Sequence, residues 1–292
     1  MSDPVVVTSG VLRQWPLPAP GEDKEARGRT LIVGGSAETP GAVLLAAEAA
    51  LRCGAGKLQV ATVASMAPHL AVALPEALVR ALPETRSGGI DPSGADRVLE
   101  LAADAAATLV GPGMVGEDET VELAGRVLRE APCSIVLDAL AVAVVEEGRP
   151  GLQGAAGRTV LTPNNLELSM MLGVERERVD RDVRGAVLAA ARATSAVVTS
   201  GGAESWTAHP DGRSWRDESG GSGLGVSGSG DVHAGVVVGL AARGAEPAQA
   251  AVWGAHLHKR AGDRLAASVG KLGFLARELL GEIPRVLAEI EV

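Results

Sequence analysis

The run GLGVSGSGDVHAG, residues 223–235, places one carboxylate against a set of glycines. Gly228, Ser229 and Gly230 carry little or no side chain, so their backbone N–H groups can turn toward a common point. A helix breaking in at Asp231 would add unpaired N–H groups and the positive end of its dipole. Such a hole suits a phosphate or a developing oxyanion, and Asp231 at its mouth could take a proton from a bound hydroxyl. A plainer reading is open on the same residues: Asp231 merely caps a helix after a flexible loop. Two better-known phosphate motifs are excluded. A P-loop needs Lys-Ser or Lys-Thr after its last glycine, where this chain has Asp231-Val232. A dinucleotide fingerprint needs glycine where this chain has His233, and it belongs on the first strand of its unit rather than late in the chain.

Short apolar segments alternating with helical ones are the elements available to position that loop. Strands are expected at TLIVGG (30–35), LQVAT (58–62), ATLVGPG (107–113), SIVLD (134–138), RTVLTPN (158–164) and AVVTSGG (196–202). Helices are expected over 41–56, near 96–105, 117–129, 166–172 and 179–193, and three more from Asp231 to Ile290. Residues 204–217 read as a β-hairpin turning at Asp211-Gly212. This alternation implies a mostly parallel sheet with helices on both faces. No interior linker divides it, so residues 1–292 are expected to form one domain behind a Pro-rich arm, 1–29, with little structure of its own. Ligands of such sheets bind beyond the carboxyl ends of the strands. That puts Gly34-Gly35-Ser36, Gly111-Pro112-Gly113, Asp138, Thr162 to Asn165, Ser200 to Gly202 and the Gly228 loop on one rim.

The 292 residues are 46% hydrophobic, enough for a sizeable core, and the net charge of −9 without a basic cluster argues against nucleic acid as partner. No apolar run reaches bilayer length and no signal peptide stands at the start, so a cytoplasmic enzyme is expected. Cys53 and Cys133 read as buried free thiols, and no Cys/His cluster has metal-ligand spacing. With aromatics at 2%, Ala- and Leu-rich helices must pack closely.

The chain resembles the NAD(P)H-hydrate dehydratase family, a branch of the ribokinase-like fold. The likeness rests on GRTLIVGGSAETPGAVLLAAEAALRCGAG, Pro75-Glu76, VGPGMVG, LTPNNLEL and above all GSGDVHAG with its downstream helix. It implies a three-layer ribokinase-like fold. It implies an enzyme that uses ADP, or ATP, with Mg²⁺ to dehydrate the 6-hydroxy adduct of NADH or NADPH, and a tendency to assemble as a homo-oligomer. In the family's pattern Asp231 is the base, and Gly228, Ser229 and Gly230 form the anion hole. Ser200, Gly201, Gly202, Ala203 and Glu204 meet the adenine nucleotide, and Ala42, Gly113, Asn164, Glu167 and Asp231 contact the substrate.

Four departures accompany the resemblance. Relatives read Thr-Pro-His-Pro-Gly-Glu where this chain has Thr162-Pro163-Asn164-Asn165-Leu166-Glu167. They read Lys-Gly where it has Ser200-Gly201, losing a cation that Lys57 or Arg29 is available to replace. Asp-Ala-Asp-Ala-Leu is reduced to Asp138-Ala139-Leu140, and Gly-Asn-Pro-Gly becomes Gly220-Gly221-Ser222-Gly223. A kinase for another small hydroxylated metabolite, or a non-catalytic nucleotide-binding homologue, are the alternatives these departures keep open.

Overall fold

A computed structural model describes residues 3–152, 154–202 and 204–291. The N-terminal arm contributes strand β1 (Val5–Val6) and helix α1 (Ser9–Arg13), and the first expected strand is β2 (Arg29–Val33). Next come α2 (Pro40–Arg52), β3 (Lys57–Val63), α3 (Ala67–Ala73) and β4 (Ala77–Leu82). The middle of the chain holds α4 (Ala95–Ala102), β5 (Ala107–Val110), α5 (Glu117–Glu130), β6 (Ser134–Leu137) and β7 (Thr159–Leu161). Helices α6 (Asn165–Leu172), α7 (Arg176–Arg181) and α8 (Val183–Thr194) lead to β8 (Val197–Ser200) and the hairpin β9 (Ser205–Ala208) and β10 (Ser214–Asp217). The chain closes with α9 (Ser229–Ala242), α10 (Pro247–Ser268) and α11 (Ala276–Ile290).

The strands form one sheet in the order β1-β10-β9-β8-β7-β6-β5-β2-β3-β4. Only the pairs β8–β9 and β9–β10 are antiparallel. Each central strand is apolar on both faces because both are covered: in β2, Ile32 faces one core, with α2, α9, α10 and α11, while Leu31 and Val33 face the other, with α4, α5 and α8. Cys53 and Cys133 are free and buried, as expected.

Glycine decides how closely two helices approach, and the scarcity of aromatics makes this the main packing device on one face. A Cβ on Gly235 of α9 would lie 2.3 Å from the carbonyl oxygen of Ala46 in α2, and one on Gly239 would lie 2.7 Å from that of Ala50. Backbone therefore meets backbone along the whole contact, and the matched four-residue spacing shows that the two helices run parallel. Their N-termini share the end of the sheet where the parallel strands finish.

Two expectations need correction. The arm is more ordered than its composition suggested: Val5 pairs with Trp215, Leu12 is fully buried, and Trp15 stacks on Trp215 at 5.7 Å between ring centroids. The Trp253 indole donates to the Trp15 carbonyl at 3.0 Å, pinning the arm to α10. The helix expected over 179–193 is broken at Asp182, whose carboxylate accepts from Gly185 N–H at 2.8 Å and caps α8 instead of continuing α7.

Candidate active site

Asp231 is held by the α2–α9 contact. The helix begins at Ser229, so Asp231 lies in its first turn and does not cap it; Gly228, at φ +88°, is the residue before the helix. Stepping one turn back from the Gly235–Ala46 and Gly239–Ala50 contacts sets Asp231 beside Ala42. Its carboxylate makes no hydrogen bond to the described residues and is partly buried, and burial pushes its pKa up to about 6. The reading of Asp231 as a simple helix cap therefore fails.

The N–H groups left open at this turn differ slightly from those expected. Ser229 N–H is already bonded to the Val226 carbonyl at 3.1 Å. The N–H groups of Gly228, Gly230 and Asp231 have no backbone acceptor among the described residues. At Gly230 an added Cβ would meet nothing within 4 Å, so this turn presents bare backbone to open space.

On one side of Asp231 the rim turns interlock. Gly35 N–H donates to the Pro112 carbonyl at 2.7 Å, and a Cβ on Gly111 would fall 1.8 Å from the Asp138 carbonyl oxygen. Gly113 takes φ +66°, and a Cβ there would lie 2.9 Å from that of Ala42. Ala42, Gly113 and Asp231 are thus brought together, as the sequence suggested. Asp138 is buried and accepts from Thr162 Oγ1 at 2.6 Å. Burial raises its pKa well above the usual value; the Thr162 bond acts against that rise, and repulsion from Glu167 and Asp231 adds to it. Ala139 beside it sits at φ +48°, a strained conformation for a residue with a side chain.

On the other side opens a cavity of about 690 Å³. Thr162, Asn164, Gly201, Gly202, Ser229 and Gly230 line it, together with the loop 220–226 and His233, His258 and Lys259. Sequence reasoning missed the last three. Ser229 Oγ and His258 Nε2 are 2.9 Å apart, and the two imidazoles face each other at 5.4 Å. Burial and the Lys259 charge hold His233 down to about 4, and burial, His233 and Lys259 hold His258 down to about 3, so both rings are neutral at pH 7. A signal existed: Val252, His256 and Lys259 repeat on the buried face of α10, where an unassigned lysine is costly.

The remaining expected residues divide. Gly201 and Gly202 face the cavity, whereas Ser200 is fully buried, does not line it, and donates to Asn165 Oδ1 at 3.3 Å. Ala203 lies outside the described residues. Glu204 is held by Arg216 across the hairpin, with Nε at 2.9 Å from its carboxylate, and that pairing lowers its pKa. Asn164 accepts from the N–H groups of Leu166 and Glu167 at 2.9 and 3.0 Å, and Glu167 accepts from Asn164 N–H at 2.9 Å. These two residues form a capping box for α6 at the cavity edge. Arg29 and Lys57 do not replace the lost cation. They start β2 and β3 at the opposite end of the sheet, where Asp104 pairs with Arg29 and Glu25 with both. Among the described residues no group of His, Cys, Asp or Glu could hold a metal ion by itself.

A mostly parallel sheet with helices on both faces is the architecture of the ribokinase-like class. A ribokinase-like protein from Enterococcus faecalis superimposes with a TM-score of 0.82 over 98% of this chain and 96% of its own, at 18% identity. Residues 30–285 match the family described as NAD(P)H-hydrate dehydratase, and the chain belongs to that family. The ADP-dependent (S)-NAD(P)H-hydrate dehydratase of Xanthomonas campestris pv. campestris is 48% identical over 96% of this chain and 95% of its own length. The ADP/ATP-dependent NAD(P)H-hydrate dehydratase of Bacillus subtilis, co-crystallised with ATP/Mg²⁺, aligns over all of both chains with a TM-score of 0.83 and 27% identity. This chain spans about half the length of the bifunctional NAD(P)H-hydrate repair enzymes it also matches. Among the described residues no helix is long and apolar enough to cross a membrane.

Proposed function

We propose that this protein dehydrates the hydrated forms of NADH and NADPH at the expense of ADP or ATP, with Asp231 as the base. The observation that carries the reading is Asp231 itself: a partly buried carboxylate with no hydrogen bond to the described residues, between a bare helix N-terminus and the Ala42–Gly113 surface. A bound nucleotide with Mg²⁺ supplies the phosphoryl group that converts a poor leaving group, hydroxide, into a good one. The free N–H groups of Gly228, Gly230 and Asp231 accommodate charge on the phosphoryl oxygens. Asp231 accepts the proton of the substrate hydroxyl as its oxygen attacks phosphorus and the nucleotide leaves one phosphate shorter; the ester then loses phosphate, the neighbouring ring carbon gives up a proton to solvent, and the ring regains its conjugation. Ala42 and Gly113 are the substrate face because a single methyl at Ala42 and none at Gly113 let a ring come close to the backbone. Asn164 and Glu167 serve it indirectly, by capping the helix that borders the cavity. Fit to the nucleotide is supported by the 690 Å³ cavity, open backbone at Gly230 and the absence of any carboxylate among its described lining residues.

The test is to incubate hydrated NADH with ADP and the protein, and to follow inorganic phosphate together with the return of reduced-nicotinamide absorbance. Both should rise in equal amounts. Nucleotide consumption with a phosphorylated product and no restored NADH would favour a kinase, and neither signal would reject catalysis.

A further inference from the structure

We propose that Lys259, reaching from α10 into the cavity, is the cation that holds the phosphates of the bound nucleotide in this protein. The inference rests on the reading that the cavity takes a nucleotide, and goes beyond it by naming a residue outside the segments that carry the family resemblance at this site.

The lysine is 2% exposed yet lines the cavity, and its Nζ lies 3.2 Å from the Gly202 carbonyl oxygen, which it donates to. That carbonyl belongs to the turn after β8, where Gly201 and Gly202 border the cavity and supply no charge of their own. Ser200 cannot serve from its own position, because its side chain is fully buried and directed at Asn165 in α6. The same turn therefore receives its positive charge from a different helix. Of the described residues lining the cavity, Lys259 is the one that carries a charge at neutral pH, since burial keeps His233 and His258 neutral.

Two features support a ligand rather than a packing role. Burial lowers the pKa of Lys259, while Asp217, Asp263 and Glu204 act to raise it, so the charged form is sensitive to what enters the cavity. An anion entering the cavity would stabilise that charge. The bare N–H groups at Gly230 line the same cavity and favour an anion as well, so the two point toward one ligand charge. The loop opposite is shaped around the lysine stem: a Cβ on Gly220 would lie 3.2 Å from both Cβ and Cγ of Lys259. A residue with a side chain at that position would crowd the stem that brings the ammonium into the cavity.

The experiment is calorimetric titration of adenosine, AMP, ADP and ATP into the parent, Lys259→Met and Lys259→Arg, with thermal unfolding of each unliganded protein as the folding control. Methionine fills similar volume without the charge. It should weaken ADP and ATP by about tenfold to a hundredfold, the usual loss for one hydrogen bond to a charged group. Adenosine affinity should stay within about twofold, and arginine should keep most of the preference for the phosphorylated ligands. Should the methionine variant fail to fold, Lys259→Gln decides the same comparison. If the parent binds ADP and the uncharged variant binds it equally well, Lys259 is not the phosphate cation, while the nucleotide reading stands. Equal losses for adenosine and ADP would likewise overturn the assignment, since a packing defect weakens both. A parent that binds none of the four ligands overturns the nucleotide reading and this inference together.

Discussion

Replacing Asp231 with asparagine should stabilise the protein at neutral pH while removing its turnover. Burial lifts the Asp231 carboxyl from 3.8 to about 6, so the folded state holds this proton more tightly than the unfolded chain does. The stabilising share of that preference is complete below the unfolded value and is lost as pH rises through the folded one. A shift of roughly two units corresponds to about 3 kcal/mol of destabilisation at pH 8, and about half of it at pH 5, where the folded carboxyl still keeps most of its proton. Asparagine has no charge to bury and is nearly isosteric. It also breaks nothing, because the carboxylate has no hydrogen bond to the described residues. The expected gain is therefore up to about 3 kcal/mol at pH 8, about half that at pH 5 and close to zero near pH 3. Urea unfolding of both proteins at pH 5 and pH 8, with linear extrapolation, reads these differences. Turnover should fall by about two to four orders of magnitude in the same variant. An identical difference at both pH values, or a variant less stable than the parent at pH 8, would refute burial as the source of the shift.

Three further outcomes follow from the same geometry. The rate at low substrate concentration should fall about tenfold per pH unit below about pH 6, as Asp231 takes up its proton, and a flat acid limb down to pH 4.5 would exclude it as the base. Gly230→Val should fold, since Gly230 is helical with open space at its Cβ position, but it should lose the thermal stabilisation that ADP gives the parent. ADP stabilising the valine variant as it does the parent would move the phosphate site elsewhere. Asp217→Ala should cost about 1–3 kcal/mol in urea unfolding, because it leaves buried His256 without the carboxylate that bonds its Nδ1 at 2.7 Å. A cost under about 1 kcal/mol would show that this pair contributes little to holding β10 against α10.

The sheet was legible because its central strands are short apolar runs, most of them ended by glycine or by a Pro-containing turn, with helices between. The rim was legible for the same reason, since Gly35, Gly111 and Gly113 mark turns that need positive φ or a close backbone approach. What escaped was set by packing across distant parts of the chain. Nothing local to residues 5–15 announces that Val5 will pair with Trp215 or that Trp15 will stack on it, since those partners lie some 200 residues away in the numbering. The donor set of the anion hole also shifted, because the helix starts two residues earlier than expected and Ser229 N–H turns back to Val226. Lys259 was missed because a lysine in a helix is ordinarily solvated, and only its place in the buried repeat of α10 sets it apart.

The departures from the family pattern carry different physical weight once they are placed in the fold. Asn164 stands where a histidine is usual, yet its side chain accepts from two N–H groups and keeps α6 capped, so the helix bordering the cavity keeps its start. Asp138 survives from a pair of carboxylates, and it is the one whose burial and Thr162 bond tie β6 to β7 beneath the site. Gly221 and Ser222, where the resemblance implies Asn and Pro, lie in a loop already committed to small residues. A Cβ at Gly223 would lie 2.4 Å from the Phe274 ring, and one at Gly220 would press on Lys259. The loop and α10 meet at this point: a Cβ on Gly220 would lie 2.9 Å from the Leu224 side chain and 3.2 Å from the stem of Lys259. A lysine returned to position 200 in this background would have to displace the buried Ser200–Asn165 contact before reaching any phosphate. Restoring the family residue there is for that reason expected to disturb α6 rather than to strengthen the site.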